Sequence, residues 1–329
     1  MSEETRFGVR TLVVGGAGFI GSHAVDRLLA ERGTQRVTVF DNFSSGRRWH
    51  LDDHRHDDRL AVVEGDAKDL DALTAATEGH DTVIHLASNP DIAAAMADPT
   101  IDFREGTLLT HHVAESMRRT GVGRVVYASG SGVYGDLGDR APDEDHGPLL
   151  PTSTYGASKL AGEALLCSYA HMFGSQVTVL RFANVVGPRQ THGVGFDFLR
   201  RLRKDPTRLS ILGDGRQSKS YIHVADVLDA MFHVAARPQG AFAAYNVATG
   251  DDITVTEIAA LAIEVAGLDP DDVELEYSGG SRGWHGDVPV VRLDVGAIRA
   301  TGWRCTRSTR EALRQSMVAM LADADRLGW

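Results

Sequence analysis

The sequence predicts an α/β protein with a doubly wound parallel sheet and a smaller, mixed α/β C-terminal region. Short apolar runs alternate with longer amphipathic stretches through the first half of the chain. A glycine-rich segment, Gly15–Gly21, directly follows the first run, and the alternation loosens after about residue 183. Strands that alternate with helices are joined by right-handed crossovers, so the first half should form a parallel sheet covered on both faces.

The apolar runs and amphipathic stretches define the expected elements in chain order. Strands are expected at Thr11–Val14, Val37–Phe40, Ala61–Glu64, Thr82–Leu86, Arg124–Ala128 and Thr178–Phe182. Helices are expected at Gly18–Arg32, Leu70–Thr77, Thr107–Thr120 and Thr154–Gly174. Tyr221–Val234 and Tyr245–Ala248 are expected to return to the main sheet. We therefore expect one domain over 1–182, with segments near 221–248 returning to it, and a second region over 183–329.

The amino-acid composition indicates which kinds of binding partner and which cellular compartment to expect. The chain has 329 residues, is 43% hydrophobic and 24% charged, and carries a net charge of −11. An acidic chain without a Lys/Arg run argues against nucleic acid and anionic membrane as partners. No apolar stretch approaches the roughly 20 residues of a membrane helix. Cys167 and Cys305, the only cysteines, are expected to be buried and reduced, as in a cytoplasmic protein.

The glycine-rich segment has the spacing of a dinucleotide-binding turn. Gly15, Gly18 and Gly21 follow a strand and open a helix, which is the context that a Rossmann-type fingerprint requires. The first glycine permits the tight turn, the second lets the backbone approach a pyrophosphate at the helix N-terminus, and the third lets helix and strand pack closely. An ordinary tight turn is the alternative interpretation.

Two acidic residues extend this motif. Asp41 ends the next strand, 20 residues after Gly21. An acid there bonds the ribose hydroxyls of adenosine and repels a 2′-phosphate, which favours NAD over NADP. Arg47 and Arg48 lie nearby and are expected to face solvent. Asp66, after the third strand, is placed to accept the adenine amino group, with a helix N-cap as the alternative role.

Tyr155 and Lys159 suggest an acid/base pair. A phenol has a pKa near 10, whereas a base that acts on an alcohol near neutral pH must titrate lower. A Lys four residues on lies on the same helix face, and its ammonium, together with a positive nicotinamide, should lower the pKa of the Tyr155 phenol. A Tyr and a Lys at this spacing often occur together by chance. The pair indicates an acid/base role only in combination with the glycine turn upstream.

A histidine-rich segment, His50 to His56, is interpreted as a solvated loop next to the cofactor. A metal site is the alternative, but no metal is expected.

These motifs resemble the extended short-chain dehydrogenase/reductase family, and within it the nucleotide-sugar (UDP-hexose) 4-epimerases. The matching segments span nearly the whole chain: Gly15–Gly21, Asp41–Gly46, Gly65-Asp66, His85–Ala87, Val133–Gly135, Tyr155–Lys159, Arg181–Arg189, Leu212–Gly215, Tyr221–Asp226 and Gly286–Pro289. The C-terminal region would then bind the nucleotide sugar.

The resemblance implies a mechanism in which Tyr155 takes the proton of the sugar 4-hydroxyl while hydride passes to NAD and back. Lys159 would also hold the nicotinamide ribose. The implied cofactor contacts are Gly15, Gly18, Phe19, Ile20, Gly21, Asp41, Asn42, Ser44, Ser45, Gly46, Asp66, Ala67, Leu86, Ala87, Ser129, Tyr155 and Lys159. The implied substrate contacts are Ser131, Tyr155, Asn184, Arg216, Lys219 and Arg282, with the three cations at the diphosphate.

Two positions depart from the family pattern. Gly130 stands where relatives carry the catalytic Ser or Thr, four residues before Tyr134. We expect Ser131, or a water held in the Gly130 gap, to bond the 4-oxygen instead. Gly106 stands where relatives often carry Asn, and the sequence indicates no role for it.

Other reactions of the family fit less well. Dehydratases carry Asp-Glu where this chain has Ser131 and Gly132, decarboxylases carry a Glu in the same segment, and a reductase would need exchangeable NADPH, which Asp41 disfavours. UDP-glucuronate 4-epimerase stays an alternative, although Thr191 and His192 replace the Arg region that holds the carboxylate. A non-catalytic NAD-binding regulator is a further alternative.

A homodimer is the expected assembly. In relatives, helices that match Thr107–Thr120 and Thr154–Gly174 form a four-helix interface. The apolar residues Val113, Met117, Leu160, Ala164 and Leu165 have suitable spacing for it.

Overall fold

The computed structural model describes residues 8–89, 91–237, 240–284 and 286–329. The strands are β1 Arg10–Val14, β2 Arg36–Asp41, β3 Leu60–Glu64, β4 Thr82–His85, β5 Arg124–Gly130, β6 Gln176–Phe182, β7 Asn184–Val186, β8 Arg208–Ile211, β9 Ser218–Lys219, β10 Tyr221–His223, β11 Phe242–Val247, β12 Ile253–Thr254, β13 Glu274–Tyr277 and β14 Val290–Val291. The helices are α1 Phe19–Ala30, α2 Leu70–Thr77, α3 Leu108–Thr120, α4 Thr154–Phe173, α5 Val194–Lys204, α6 Val224–Ala235, α7 Val255–Ala266, α8 Gly296–Ala300, α9 Thr309–Ala322 and α10 Ala324–Leu327.

A seven-stranded sheet in the order β11-β6-β5-β4-β1-β2-β3 confirms the predicted fold class. The central pairings are parallel; Val13 of β1, for example, lies between Val39 of β2 and Ile84 of β4. The strand order reverses between β1 and β4, and ligands of open α/β sheets bind outside the carboxyl ends of the strands at such a point. The loops after β1 and β4 are therefore expected to form the cofactor site.

The expected elements appear with small changes of length, but the segment Tyr221–Val234, expected to return to the main sheet, begins with a strand that pairs elsewhere. Strands β5 and β6 are each two residues longer than the sequence pattern indicates. Strand β11 adds to the main sheet beside β6, whereas β10 pairs in parallel with β7 in a separate two-stranded sheet. The three residues of β10 pair with Asn184–Val186. Their residue types did not indicate which strand they would pair with.

The chain forms two compact units, each with its own core. The first comprises residues up to 133, Leu149–Arg181 and Leu228–Tyr245; the second comprises Tyr134–Pro148, Phe182–Val227 and Asn246–Trp329. The core of the first packs strands of the main sheet against α2, α3 and α4 through residues such as Leu12, Leu73, Val113, Val125 and Leu166. The core of the second packs α5, α7 and α9 on one another through Leu199, Ile258, Leu261, Leu313 and Met317.

Local sequence signals define the helix ends in the second unit. Thr254 and Glu257 form a reciprocal capping box at the start of α7, and Ser308 and Glu311 form another at α9. Such boxes satisfy backbone N–H groups that the helix itself leaves unpaired. Of the helices in the described ranges, none is both long and apolar enough to span a membrane.

The two cysteines are free, as expected, but Cys167 and Cys305 are half-buried rather than buried.

Candidate active site

The glycine-rich turn after β1 closely approaches the loop after β4. Gly15 has φ +83°, and a Cβ there would lie 2.7 Å from the backbone nitrogen of Ala87. A Cβ on Gly21 would lie 2.2 Å from the carbonyl oxygen of Gly15, so both positions require glycine. Gly18 precedes α1, and no side chain in the described ranges caps that helix. The first N–H groups of α1 are therefore available to a pyrophosphate.

Asp41 lies at the carboxyl end of β2 and faces the glycine turn. Its Oδ2 accepts a hydrogen bond from Ala17 N at 2.9 Å, and its Oδ1 accepts one from Phe43 N at 2.8 Å. Burial raises the pKa of Asp41, although these two N–H donors oppose the rise. Each carboxylate oxygen keeps a further lone pair, with which it can accept a ribose hydroxyl.

The two arginines beyond Asp41 are exposed, as the sequence predicts. Arg48 forms an ion pair with Glu64 at 2.5 Å and lies over the ring of Phe43, 4.3 Å from its centroid. Arg47 donates to the carbonyl of Gly46 at 3.4 Å. The charge of Arg48 is thus offset by a carboxylate at the edge of the site.

The histidine-rich segment is only in part the solvated loop that we expected, because His56 is exposed whereas His54 is half-buried and His50 is buried. Residues Arg48–His54 form a 3₁₀ segment in which His50 is 1% exposed. His50 Nδ1 lies 2.8 Å from the carbonyl oxygen of Ala17, and His54 Nε2 lies 3.0 Å from Asp26 of α1. The imidazoles therefore attach this segment to the glycine turn and to α1.

Asp66 follows β3 but does not cap the next helix, so that alternative role is wrong. Asp69 caps α2, whereas Asp66 accepts the Lys68 N–H at 2.8 Å and forms an ion pair with Lys68 Nζ at 3.3 Å. Lys68 also forms an ion pair with Glu105. Burial raises the pKa of Asp66, but the bonds and charge of Lys68 more than offset this, and the carboxyl pKa is lowered overall.

Tyr155 and Lys159 lie on the first turns of α4, one helical turn apart. The helix begins here because Ser153 caps it, accepting a hydrogen bond from Gly156 N at 3.1 Å. Lys159 is 3% exposed, and its Nζ donates to the carbonyl of Ala128 at 2.8 Å, at the end of β5. The same Nζ lies 5.5 Å from the centroid of the Tyr155 ring. The predicted pair is therefore brought together beside the carboxyl end of a sheet strand.

The pKa values of the pair are shifted by burial and by three neighbours. Burial lowers the pKa of Lys159 to about 8, although the carboxylates of Glu163 and Asp102 act to raise it. Burial raises the pKa of Tyr155; a hydrogen bond with Ser88 opposes the rise and Asp102 adds to it. The protein groups around Tyr155 thus raise its pKa overall, whereas the lowering expected from the sequence also involves a positive nicotinamide.

The turn after β5 carries Ser131 close to the start of α4. Ser131 is half-buried and begins the 3₁₀ turn Ser131–Val133. A Cβ on Gly156 would lie 2.5 Å from the carbonyl oxygen of Gly132, so this turn touches the residue next to Tyr155. The hydroxyl of Ser129, by contrast, is buried and donates to Glu163 at 2.5 Å. The proton of the Ser129 hydroxyl is therefore committed to Glu163.

Asp102 is a buried acid of the site that sequence reasoning missed. It is 1% exposed, and it accepts hydrogen bonds from Asn89 Nδ2 at 2.9 Å and Thr154 Oγ1 at 2.6 Å. Sequence reasoning also missed Ser88. The only available signal was that Ser88 and Asn89 directly follow Leu86-Ala87 at the end of β4, whereas Asp102 lies in a segment without periodicity.

Gly106 has a structural explanation. It lies in a single π-helical turn, Phe103–Thr107, that leads into α3. A Cβ on Gly106 would lie 2.6 Å from Ser158 Oγ and 3.0 Å from Ser158 Cβ on α4. An Asn, which relatives often carry there, would require the Ser158 side chain to rotate and the turn or α4 to shift. The departure from the family pattern thus follows from the close approach of the π turn to α4.

In the second unit, two of the three predicted diphosphate cations contact Asp287, one through its carboxylate and one through its backbone carbonyl. Lys219 Nζ lies 2.5 Å from Asp287 Oδ1, and Arg282 donates to the carbonyl oxygen of Asp287 at 2.5 Å and to Asp136 at 2.6 Å. Arg216 is exposed in a turn, where its N–H donates to Asp214. Lys219 and Arg282 are therefore already paired with carboxylates, with which a diphosphate would have to compete.

Asn184 begins β7 and is half-buried. Its Nδ2 donates to the carbonyl of Ser220 at 3.2 Å, which leaves its amide oxygen as a potential acceptor.

Comparison with known proteins adds to this geometry. A family model described as the NAD dependent epimerase/dehydratase family matches residues 11–248. A UDP-glucose 4-epimerase of Mycolicibacterium smegmatis is 34% identical over 316 residues, which cover 94% of this chain and 97% of that protein.

Two solved structures are similar to the whole chain. A UDP-galactose 4-epimerase has a TM-score of 0.84 and 37% identity, over 95% of this chain and 99% of that one. A double mutant of a dTDP-glucose 4,6-dehydratase from Streptomyces venezuelae, with NAD bound, has a TM-score of 0.87 and 28% identity, over 96% and 98% of the two chains. The fold is thus shared by enzymes of two reaction types.

Proposed function

Since the chain belongs to the NAD dependent epimerase/dehydratase family, we propose that it inverts C4 of a UDP-hexose, interconverting UDP-glucose and UDP-galactose. The observation that carries this proposal is the Tyr155–Lys159 pair near the carboxyl end of β5, in which Lys159 is buried and Tyr155 half-buried. A phenol and an ammonium in that arrangement suit the removal and return of one proton on an alcohol. The names of the similar epimerases support the choice of sugar.

The residues of the first unit fit NAD. The uncapped start of α1 suits the pyrophosphate, and Gly15 and Gly21 leave no room for side chains beside it. Asp41 would accept the adenosine ribose hydroxyls and repel a 2′-phosphate. The other residues assigned to the cofactor from sequence remain proposed contacts. The chemistry that NAD supplies is reversible hydride transfer at C4.

Tyr155 handles the proton. We assign it the removal of the 4-hydroxyl proton and its return to the opposite face of the transient 4-keto sugar. Lys159 keeps positive charge beside the phenol and so favours the phenolate. Ser131, on the turn that touches α4, would hold the 4-oxygen by a hydrogen bond, with a water beside Gly130 as the alternative. A reaction that returns its proton and hydride needs no other acid or base.

The second unit would hold the nucleotide part of the substrate. We propose that Lys219, Arg282 and Arg216 bind the diphosphate and that Asn184 contacts the substrate near it. Lys219 and Arg282 are already paired with the carboxylates of Asp287 and Asp136. They can therefore bind the diphosphate only when it displaces these carboxylates. Lys219 would contribute a point charge rather than the bidentate contact that an Arg makes.

Dehydration is disfavoured although a dehydratase shares the fold. The 4,6-elimination needs an acid and a base at C5 and C6, and the turn after β5 offers Ser131 and Gly132 in those positions. UDP-glucuronate stays the alternative substrate, and the assay described below tests it directly.

We also propose a homodimer, with a smaller interface than the sequence suggested. Val113 and Met117 lie in the core of the first unit, at 0% and 2% exposure, and cannot contribute. Leu160, Ala164 and Leu165 on α4 are partly or fully exposed and remain candidates.

The test is inversion at C4 by the purified protein without added cofactor. UDP-glucose, UDP-galactose, UDP-glucuronate and UDP-N-acetylglucosamine are incubated separately and followed by proton NMR. We expect UDP-glucose and UDP-galactose to interconvert. Tyr155→Phe should lower the rate by about 10²–10⁴-fold, because it removes the acid/base group.

Tyr169→Phe is the matched control on the same helix, because the Tyr169 hydroxyl donates to Glu115, at 3.4 Å, 14 residues beyond Tyr155 along the helix. It should leave the rate unchanged. Inversion of UDP-glucuronate alone would change the assigned sugar. No inversion of any sugar by a protein that contains NAD would overturn the epimerase and favour a binding role.

A further inference from the structure

A buried charged cluster lies one helical turn beyond Lys159. Glu163 and Arg181 are 4% and 5% exposed, and Arg181 Nη2 donates to Glu163 Oε2 at 2.8 Å while its Nε donates to Oε1 at 3.1 Å. Ser129 Oγ donates to the same Oε1 at 2.5 Å. A buried ion pair often adds little net stability, because both charges lose their hydration. A contribution to stability therefore does not by itself account for this buried ion pair.

The cluster is connected to the proposed acid/base pair through helix α4 and strand β5. Tyr155, Lys159 and Glu163 are spaced four residues apart, which places them on one face of the helix. That face meets two consecutive residues of β5: Lys159 donates to the Ala128 carbonyl at 2.8 Å, and Glu163 accepts from the Ser129 hydroxyl. Two successive turns of α4 are thus fastened to the end of one strand.

We propose that Glu163 is a positioning residue for Lys159. Held by Arg181, its carboxylate fixes Ser129 and hence the Ala128 carbonyl that orients the Lys159 ammonium, and it provides negative charge that keeps this ammonium protonated. The inference rests on the proposed function, in which Lys159 acts through Tyr155. It adds a third member to the helix face that carries the chemistry.

The groups around Lys159 define how its charge is balanced. Those that face it are Tyr155 and Glu163 on α4, Asp102 before the π turn, Tyr127 on β5 and His85 on β4, with Arg181 of β6 behind Glu163. His85 is neutral, because burial and the Lys159 charge lower its pKa to about 3. Among the described residues, Glu163 and Asp102 are the carboxylates that act to raise the pKa of Lys159.

Glu163→Gln tests the proposal because it keeps the shape of the side chain and removes its charge. Lys159 can be observed directly, since the chain has only four lysines: Lys68, Lys159, Lys204 and Lys219. In NAD-containing protein labelled with lysine carrying ¹³C at the ε position, the signal missing from Lys159→Met identifies the residue. We expect Glu163→Gln to lower the pKa of Lys159 by about one unit, since the loss of a nearby opposite charge disfavours the ammonium.

The same change should alter the pH dependence of the reaction. In the pH profile of kcat, the alkaline limb reports the loss of the Lys159 proton. This limb should move to lower pH by a similar amount. The KM for the nucleotide sugar should not change, because Glu163 is buried behind Lys159. A role in packing alone would lower thermal stability without moving the limb.

A second variant and a control separate charge from folding. Glu163→Gln combined with Arg181→Met leaves no uncompensated buried charge and should regain stability while the pKa of Lys159 stays low. Asp226→Asn is the matched control: this acid of the second unit is 0% exposed and pairs with Arg307 at 3.0 Å. It should lower stability and leave the pKa of Lys159 unchanged.

The outcomes distinguish this inference from the proposed function. An unchanged pKa of Lys159 in both Glu163 variants would overturn the inference even if the wild type epimerises UDP-hexoses. A lowered pKa would support it even if no sugar is turned over, because the NMR titration does not require catalysis. Should Glu163→Gln fail to fold, the double variant decides the question alone.

Discussion

At the scale of single residues, Asp41 carries the preference of the proposed site for NAD. Its carboxylate already accepts two backbone N–H groups, from Ala17 and Phe43. Asp41→Asn would turn an N–H donor toward one of these N–H groups and remove the charge. Hydrogen bonds to charged groups contribute about 1.5–3 kcal/mol, so we expect NAD to bind roughly 10- to 100-fold more weakly. The measurement is the dissociation constant of NAD for protein stripped of cofactor.

Asp58→Asn is a suitable control for the Asp41 prediction, because it makes the same change of charge at an exposed position in the same unit. Equal affinities for NAD in the Asp41→Asn and wild-type proteins would contradict the assignment. A gain in NADP binding by Asp41→Asn alone would add support, since the repulsion of a 2′-phosphate would be removed.

Residue spacing revealed the part of the site that is local in sequence and missed the rest. Tyr155 and Lys159 are four residues apart on one helix, so their meeting followed from helix geometry. The sequence did not reveal that Ser88 bonds the phenol or that Asp102 lies near it, because those contacts join segments 50 to 70 residues apart. It did not reveal the burial that raises the pKa of Tyr155 either.

At the scale of elements, the π turn before α3 depends on the absence of a side chain at Gly106. Gly106→Ala would place a Cβ 2.6 Å from Ser158 Oγ and 3.0 Å from Ser158 Cβ, so the hydroxyl must rotate and the turn or α4 must shift by a few tenths of an ångström. Overpacking of this kind costs about 1–3 kcal/mol, and we expect the free energy of unfolding to fall by that amount. Chemical denaturation of the NAD-containing protein measures it.

Ser158→Ala should relieve part of this strain, because it removes the nearest atom. The two substitutions should therefore be non-additive in a double-mutant cycle, with the double variant more stable than the sum predicts. Gly123→Ala serves as a control, since nothing lies within 4 Å of a Cβ there. Additive effects of the two substitutions would show that the π turn and α4 do not constrain each other.

Elements with strong periodicity were predicted best. Helix α2 has the expected bounds, Leu70–Thr77, because Asp69 caps it and an apolar face buries Leu73. The segment around His50 was misread because polar composition suggested solvent, whereas its imidazoles bond Ala17 and Asp26. Strand β10 was misplaced because a segment of three residues, Tyr221–His223, can pair with any exposed strand edge.

At the scale of the whole molecule, the alternation of strands and helices indicated the fold class but could not indicate where the two compact units exchange segments. Residues 134–148 belong to the second unit although they follow β5 directly, and Leu228–Tyr245 belong to the first. Such exchanges depend on long-range packing, which leaves no periodic trace in the sequence.

Removal of NAD should destabilise the protein, because a ligand that binds only the folded state stabilises it by mass action. At a free concentration 100 times its dissociation constant, NAD would contribute about 2.7 kcal/mol. We therefore expect the Tm of stripped protein to rise by several degrees when NAD is restored. NADP at the same concentration should raise the Tm less, because its 2′-phosphate would meet Asp41.

Hydrogen exchange should slow on NAD binding in the glycine turn and at the end of β2, where the proposed contacts lie. Equal Tm values with and without saturating NAD would show that this unit does not hold the cofactor.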